Sequence, residues 1–199
     1  MENKTVIGSR IRTIREFRGF KQEEIAKAIG MEISKYSRLE NDKIGKLEDD
    51  ILKIAVVNRY QEKPIAVAFI KNFGLKRGAL ASSVAHDSHN IIVVGVDDES
   101  MCKAANAIIA EKGGLSVTDG NETKVLPLPV AGLMSTDSCE TVAENYLQLV
   151  KFAKEIGCTL HSPFMSLSFM ALLVIPSLKL SDKGLFDGNN FKFCDLGVN

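Results

Sequence analysis

The spacing of the apolar residues changes once along this 199-residue chain, and the change restricts the folds that the chain can adopt. Through the first 57 residues, apolar side chains recur every three or four positions, as on one face of an amphipathic helix. After the polar stretch NRYQEKP, apolar runs rich in β-branched residues cover residues 65–70 and 90–96, as expected for strands. The sequence therefore predicts two domains, at residues 1–58 and 64–199, joined by a linker at residues 59–63.

The first domain is predicted to be all helical. Helical periodicity runs through residues 7–17, 22–29, 32–40 and 47–57. Gly30 separates the second helix from the third, and two short helices joined by a tight turn that contains glycine form a helix-turn-helix pattern.

The second domain is predicted to alternate strands and helices. Residues 97–112 and 139–156 have the pattern of amphipathic helices, and the stretch TDGNE is typical of a hairpin turn between two short strands. This order of elements favours a layered domain of sheet and helices. The predicted fold class is thus an N-terminal all-α helix-turn-helix domain followed by an α/β domain.

Composition restricts the protein class. Apolar residues make up 45% of the chain, charged residues make up 25%, and the formal net charge is zero, as in an ordinary globular protein. No signal peptide and no apolar run of 18 residues is present, so we expect a cytoplasmic protein. The four cysteines form no C-x-x-C pair, and we therefore expect no structural zinc.

The stretch QEEIAKAIGMEISKYSRLEN resembles the Cro/C1-type repressor family, and the resemblance covers about residues 5–57. It implies a recognition helix at residues 32–40 that lies in the major groove of double-stranded DNA. The positions that it assigns to DNA contacts are Gln22, Ile33, Ser34, Lys35, Arg38 and Lys43. It also implies a structural ion pair between Arg15 and Glu40. The alternative is a helical bundle that binds a protein rather than DNA.

A second resemblance covers the rest of the chain, from about residue 64 to residue 196. The stretches FGLKRGALASSVAHDSHNIIVVGVDDESM, GGLSV, LPLPVAGLMS, IGCTLHSPFM and FKF are similar, in this order, to the C-terminal domain of adenine deaminases. That family hydrolyses adenine, and its catalytic metals are held in a (β/α)₈ barrel by an H-x-H pair and further ligands. This chain contains no H-x-H pair. The resemblance therefore implies the domain that accompanies the barrel, with no catalytic residue, metal ligand or cofactor assigned here.

The cluster HDSH within this second region has three interpretations. His86, Asp87 and His89 could bind a metal, with a further ligand such as His161 supplied from elsewhere. The loop could instead bind a purine edge, or it could be a hydrogen-bonded turn that fixes strand geometry. The candidate ligand-binding residues are Ser82, Ser83, His86, Asp87, His89 and Asn90.

Together these patterns predict a DNA-binding transcriptional regulator whose second domain senses adenine or a related purine. Helix-turn-helix proteins commonly read palindromes as dimers, so we expect a homodimer. On this interpretation the chain is a regulator, and we do not expect it to be an enzyme. The alternative is an adenine deaminase-related protein, either an accessory subunit or an orphan C-terminal domain that acts in purine metabolism.

Overall fold

The computed structural model describes residues 50–194 without interruption. From the N-terminal part it describes residues 12, 15–16, 18–29, 32–33 and 36–37. The described helices are α1 (Gln22–Ala28), α2 (Asp98–Ala110), α3 (Cys139–Glu155) and α4 (Pro163–Phe169). The described strands are β1 (Ile51–Val57), β2 (Ala66–Lys71), β3 (Ala79–Ser82), β4 (Ile91–Gly95), β5 (Gly114–Thr118), β6 (Thr123–Pro127), β7 (Leu178–Ser181), β8 (Gly184–Asp187) and β9 (Lys192–Cys194).

Six strands form one sheet in the order β2-β1-β4-β3-β5-β6, and every neighbouring pair is antiparallel. A separate sheet contains β7, β8 and β9, also antiparallel. The described part of the molecule is therefore an α+β fold.

Both faces of the large sheet are covered by other layers. Successive side chains of a strand point to opposite faces. Along β4, Ile92 and Val94 join one apolar cluster, while Ile91 and Val93 join a second. The first cluster contains buried side chains of α3, α4 and β7, and the second contains those of α2. The central strands thus lie between a helical layer on one side and a mixed layer on the other.

Polar side chains set the first turns of the two long helices. Asp97 precedes α2, and its carboxylate accepts a hydrogen bond from the backbone N–H of Ser100. Ser138 precedes α3, and its hydroxyl accepts one from the N–H of Thr141. Such caps satisfy backbone donors that have no partner within the helix. They fix the starting points of the helices that cover the sheet.

Much of the predicted second domain is confirmed. The strands expected at residues 65–70 and 90–96 correspond to β2 and β4, and the helices expected at residues 97–112 and 139–156 correspond to α2 and α3. The hairpin around TDGNE is also present as β5 and β6. The description of this domain as α/β is replaced by α+β, because the large sheet contains antiparallel pairs throughout.

The N-terminal prediction requires correction. The helix expected at residues 47–57 is wrong, because Ile51–Val57 is a strand that pairs with β2 on one side and with β4 on the other. Residues 59–63, expected to link two domains, connect β1 to β2 within one sheet. The helix expected at residues 22–29 corresponds to α1, but no all-α helix-turn-helix domain is evident in the described residues. Among all the residues that the structure describes, no helix is both long and apolar enough to cross a membrane.

The core assignment predicts a large effect of truncating Leu80. This β3 side chain is fully buried in the first apolar cluster, so Leu80→Ala should lower the free energy of unfolding by about 2–5 kcal/mol. Leu147→Ala, on the exposed side of α3, should change it by less than about 0.5 kcal/mol. Urea denaturation of the full chain measures both values, and equal losses would contradict the assignment.

Candidate functional site

The connections at one end of the large sheet form the candidate site. The pairs Val57 with Ile91 and Ser82 with Leu115 place the end of β1, the end of β3 and the starts of β4 and β5 at the same end of the sheet. We call this end the loop end and define it by residues 58–65, 83–90 and 128–135. The loop at residues 83–90 contains the HDSH cluster and joins β3 to β4.

The inner part of this loop is held by buried polar groups. Ser83 is fully buried, and its hydroxyl donates a hydrogen bond to the Gly132 carbonyl at 2.6 Å and accepts one from the Gly114 N–H at 2.8 Å. The buried Ser82 hydroxyl bonds the backbone N–H and carbonyl of Val84, both at 3.0 Å. Since these two hydroxyls are bonded within the fold, their contacts serve to fix the loop.

Asn90 holds the other end of the loop. Its side chain is buried, and its amide oxygen accepts a hydrogen bond from the Arg59 N–H at 3.2 Å. Its amide nitrogen donates to the Ser88 hydroxyl at 3.2 Å. Ser82, Ser83 and Asn90 therefore anchor the loop where it enters and leaves the sheet.

The remaining predicted residues occupy the outer part of the loop. Asp87 is exposed, while His86 and His89 are half-buried. The two imidazole rings meet edge-on with 5.7 Å between their centroids, and the His86 ring also lies 5.4 Å from the ring of Phe169 in α4. The structure thus brings His86, Asp87 and His89 together at the molecular surface.

The environment of His89 favours the neutral imidazole. Burial lowers the pKa of His89 below its ordinary value of 6.5, and the neighbouring His86 lowers it further. Asp87 opposes this shift, and the positive charge of Arg59 reinforces it. The Nδ1 atom of His89 is buried and has no hydrogen-bond partner in the described part of the chain. A neutral imidazole offers one donor and one acceptor nitrogen.

Arg59 and Tyr60, which fall in the predicted linker at residues 59–63, contact the loop at residues 83–90 and were not among the predicted site residues. Arg59 donates to the Ala131 carbonyl at 2.8 Å and to the His89 carbonyl at 3.5 Å. The Tyr60 hydroxyl donates to the Ser88 carbonyl at 3.1 Å. The sequence signal for this role is that two side chains able to form hydrogen bonds follow an apolar strand closely. Their partners are distant in the sequence, so no local pattern reveals the contacts.

The residues assigned to DNA contacts are only partly described. Gln22 begins α1, and Ile33 is exposed, whereas Ser34, Lys35, Arg38 and Lys43 lie outside the described residues. Arg15 donates to the Phe20 carbonyl at 2.7 Å and contacts the Glu16 carboxylate. Its predicted ion-pair partner Glu40 also lies outside the described residues.

Comparison with known proteins decides the family. The family model for the adenine deaminase C-terminal domain matches residues 27–192. The chain belongs to this family. It is 54% identical over 151 residues to an adenine deaminase of Borreliella burgdorferi, covering 75% of this chain and 28% of that protein. It is 54% identical over 149 residues to one of Methanosarcina mazei, covering 75% and 27%, and 57% identical over 147 residues to one of Sulfurovum sp., covering 73% and 28%. It therefore spans little more than a quarter of the length of these relatives.

These matches overturn the predicted DNA-binding transcriptional regulator. The matched family region begins at residue 27 and so includes residues 32–40, which were assigned as the recognition helix. The relatives that match three quarters of the chain are named adenine deaminase. The interpretation as a Cro/C1-type helix-turn-helix regulator is therefore wrong, and the resemblance to the adenine deaminase C-terminal domain is confirmed.

The anchoring role of Ser83 predicts a stability loss. Ser83→Ala leaves the Gly114 N–H and the Gly132 carbonyl without their buried partner, so the free energy of unfolding should fall by about 1–3 kcal/mol. The exposed Ser177 provides a matched control, since Ser177→Ala should change it by less than about 0.5 kcal/mol. Chemical denaturation tests the pair, and an unchanged Ser83→Ala protein would remove the assigned role.

Proposed function

We propose that this chain acts in purine metabolism as the C-terminal-domain component of an adenine deaminase. The observation that carries the proposal is the identity of 54% with the Borreliella burgdorferi adenine deaminase over three quarters of the chain. The chain spans 28% of that relative. In this proposal, the part of the deaminase that the chain does not cover is supplied by a separate or attached region. The role proposed for the chain is to complete the deaminase and to present its loop end to the purine.

The outer part of the loop at residues 83–90 has chemistry that suits adenine. The exposed carboxylate of Asp87 accepts hydrogen bonds, and a neutral imidazole both donates and accepts them. Adenine offers an amino group as donor and ring nitrogens as acceptors. His86, Asp87 and His89 are therefore the residues that we assign to purine contact, with Ser82, Ser83 and Asn90 holding them in place.

A metal centre does not fit the described residues. No group of three or more His, Cys, Asp or Glu side chains comes together there in a way that could hold a metal ion.

A domain exchange tests the proposed role. In the full Borreliella burgdorferi adenine deaminase, the 151 matched residues would be replaced by the aligned residues of this chain. We expect the chimera to deaminate adenine with kcat/KM within about tenfold of the parent enzyme, a loss of less than about 1.4 kcal/mol in transition-state stabilisation. A chimera with the parent's thermal stability but under about 1% of its kcat/KM would contradict the proposal.

The histidines allow a sharper test in the same chimera. His86→Ala should lower kcat/KM by about tenfold or more, because it removes a polar ring assigned to purine contact. His161→Ala is the matched control, since His161 is exposed on the segment between α3 and α4 and bonds Ser162. Activity assays with adenine measure both variants. Equal effects of the two substitutions would remove His86 from the site.

Direct purine contact is testable on the chain alone. We expect adenine to bind with a Kd below about 1 mM, which corresponds to about −4 kcal/mol, and Asp87→Asn to weaken binding by removing the charged acceptor. Calorimetry measures both affinities. Absence of binding at millimolar adenine would show that the chain alone does not hold the purine, and it would contradict this part of the proposal.

The predicted homodimer stays a prediction. Sedimentation equilibrium of the full chain tests it, and a monomer at all concentrations would contradict it.

A further inference from the structure

We propose that Arg59 is a positioning residue that holds the outer part of the loop at residues 83–90 in the conformation that the site uses. This inference rests on the proposed function, because that function makes the loop the part of the chain that faces the purine. Its structural half can nevertheless be tested without any enzyme activity.

Arg59 contacts two loops at once. It directly follows Asn58 at the end of β1, and its backbone N–H donates to the buried amide oxygen of Asn90. Its guanidinium reaches the carbonyl of His89 at 3.5 Å and that of Ala131 at 2.8 Å. A guanidinium has five donors in a rigid planar arrangement, so it can hold separate carbonyls in a fixed relation.

Neighbouring side chains complete this attachment. The Arg59 guanidinium lies 5.3 Å from the centre of the Tyr60 ring, and the Tyr60 hydroxyl bonds the Ser88 carbonyl. The carbonyls of consecutive loop residues 88 and 89 are therefore bound by consecutive residues 60 and 59. His89 has a φ of 51°, a backbone conformation that is uncommon for residues other than glycine and that persists where surroundings fix it.

The turn that carries Arg59 is itself held by the side chain of Asn58. The side-chain oxygen of Asn58 accepts hydrogen bonds from the N–H groups of Tyr60 and Gln61, both at 2.9 Å. The side-chain nitrogen of Asn58 donates to the Asp182 carboxylate at 2.8 Å, next to β7. Arg59 thus projects from an anchored turn toward the loop.

Gly132 leaves the space that the guanidinium occupies. A Cβ atom added at this position would lie 2.0 Å from the Nη1 atom of Arg59, and the φ of Gly132 is +76°. Gly132→Ala should therefore displace Arg59 without changing Arg59 itself. Gly184→Ala is the matched control, because Gly184 also has a positive φ but has nothing within 4 Å of an added Cβ.

The first test follows the loop in the full chain by amide hydrogen exchange. The His89 N–H, which bonds the Ala85 carbonyl at 2.7 Å, reports on the loop. We expect its exchange to be about tenfold faster or more in Arg59→Ala and in Gly132→Ala, and unchanged in Gly184→Ala. Arg77→Ala, an exposed arginine near Asp119 at the other end of the sheet, controls for loss of an arginine.

A lysine variant separates geometry from charge. Arg59→Lys keeps a positive charge but presents a single ammonium group, so the His89 amide should exchange nearly as fast as in Arg59→Ala. The pKa of His89 should respond to the charge at position 59 as well as to the geometry of the loop. His86 and Asp87 also act electrostatically on this pKa. By histidine NMR titration, the pKa of His89 should rise in both variants as the loop becomes less buried, and it should rise further in Arg59→Ala, which also loses the positive charge.

The possible results distinguish a failure of this inference from a failure of the proposed function. Unchanged exchange at His89 in a folded Arg59→Ala or Gly132→Ala protein overturns the positioning role. If Arg59→Ala does not fold, Gly132→Ala decides the question by the same measurement, with Gly184→Ala as its control. In the chimeric deaminase, Arg59→Ala should reduce kcat/KM by about tenfold. Faster exchange with unchanged chimera activity would keep the positioning role and reject the use of this loop in deamination.

Discussion

Burial of strands β3 and β4 on both faces is the constraint on which the rest of the structure depends. Every residue of both strands is buried, and the side chains of β4 alternate between two apolar clusters. A shift of one residue would move each side chain into the wrong layer, so the register is strongly fixed. The loop that joins these strands must therefore begin and end inside the protein. Ser83 and Asn90 stand at those two points, and buried polar groups there need partners.

This requirement divides the loop at residues 83–90 into two parts with different roles. At the inner ends, serine and asparagine side chains use their hydrogen-bonding groups on the backbones of neighbouring segments and on Ser88. The outer part is left with His86, Asp87 and the half-buried His89. Its carbonyls are held by Arg59 and Tyr60, which follow the adjacent central strand. Rigid strands thus place polar side chains at a surface, as binding sites on loops commonly require.

Parts of this arrangement could be predicted from the sequence, and the reasons for the failures are physical. Helices α2 and α3 and the β5–β6 hairpin have clear local patterns and were predicted. The sequence of β1 predicts a helix because both faces of this strand are partly covered, so its apolar residues do not alternate regularly with polar ones. β3, with the sequence ALAS, lacks β-branched residues and is defined by pairing with β4 and β5. The HDSH cluster marks the candidate site in the sequence, but hydrogen bonds from Arg59 to residues 30 and 72 positions away leave no local pattern.

The same limits explain why one resemblance failed while the other was confirmed. Two short helices separated by a glycine are a pattern that helical periodicity and one turn residue can produce. The predicted DNA contacts depended on the resemblance of one short stretch of this kind, at residues 22–41. The adenine deaminase resemblance instead combined five separate stretches, among them the loop with the HDSH cluster. These stretches follow one another in a fixed order from about residue 64 to residue 196. These features correspond to contacts between distant segments, such as Ser83 with Gly114 and Gly132. An ordered set of residues that must meet in space constrains the fold more strongly than a local periodicity, because each member depends on the others.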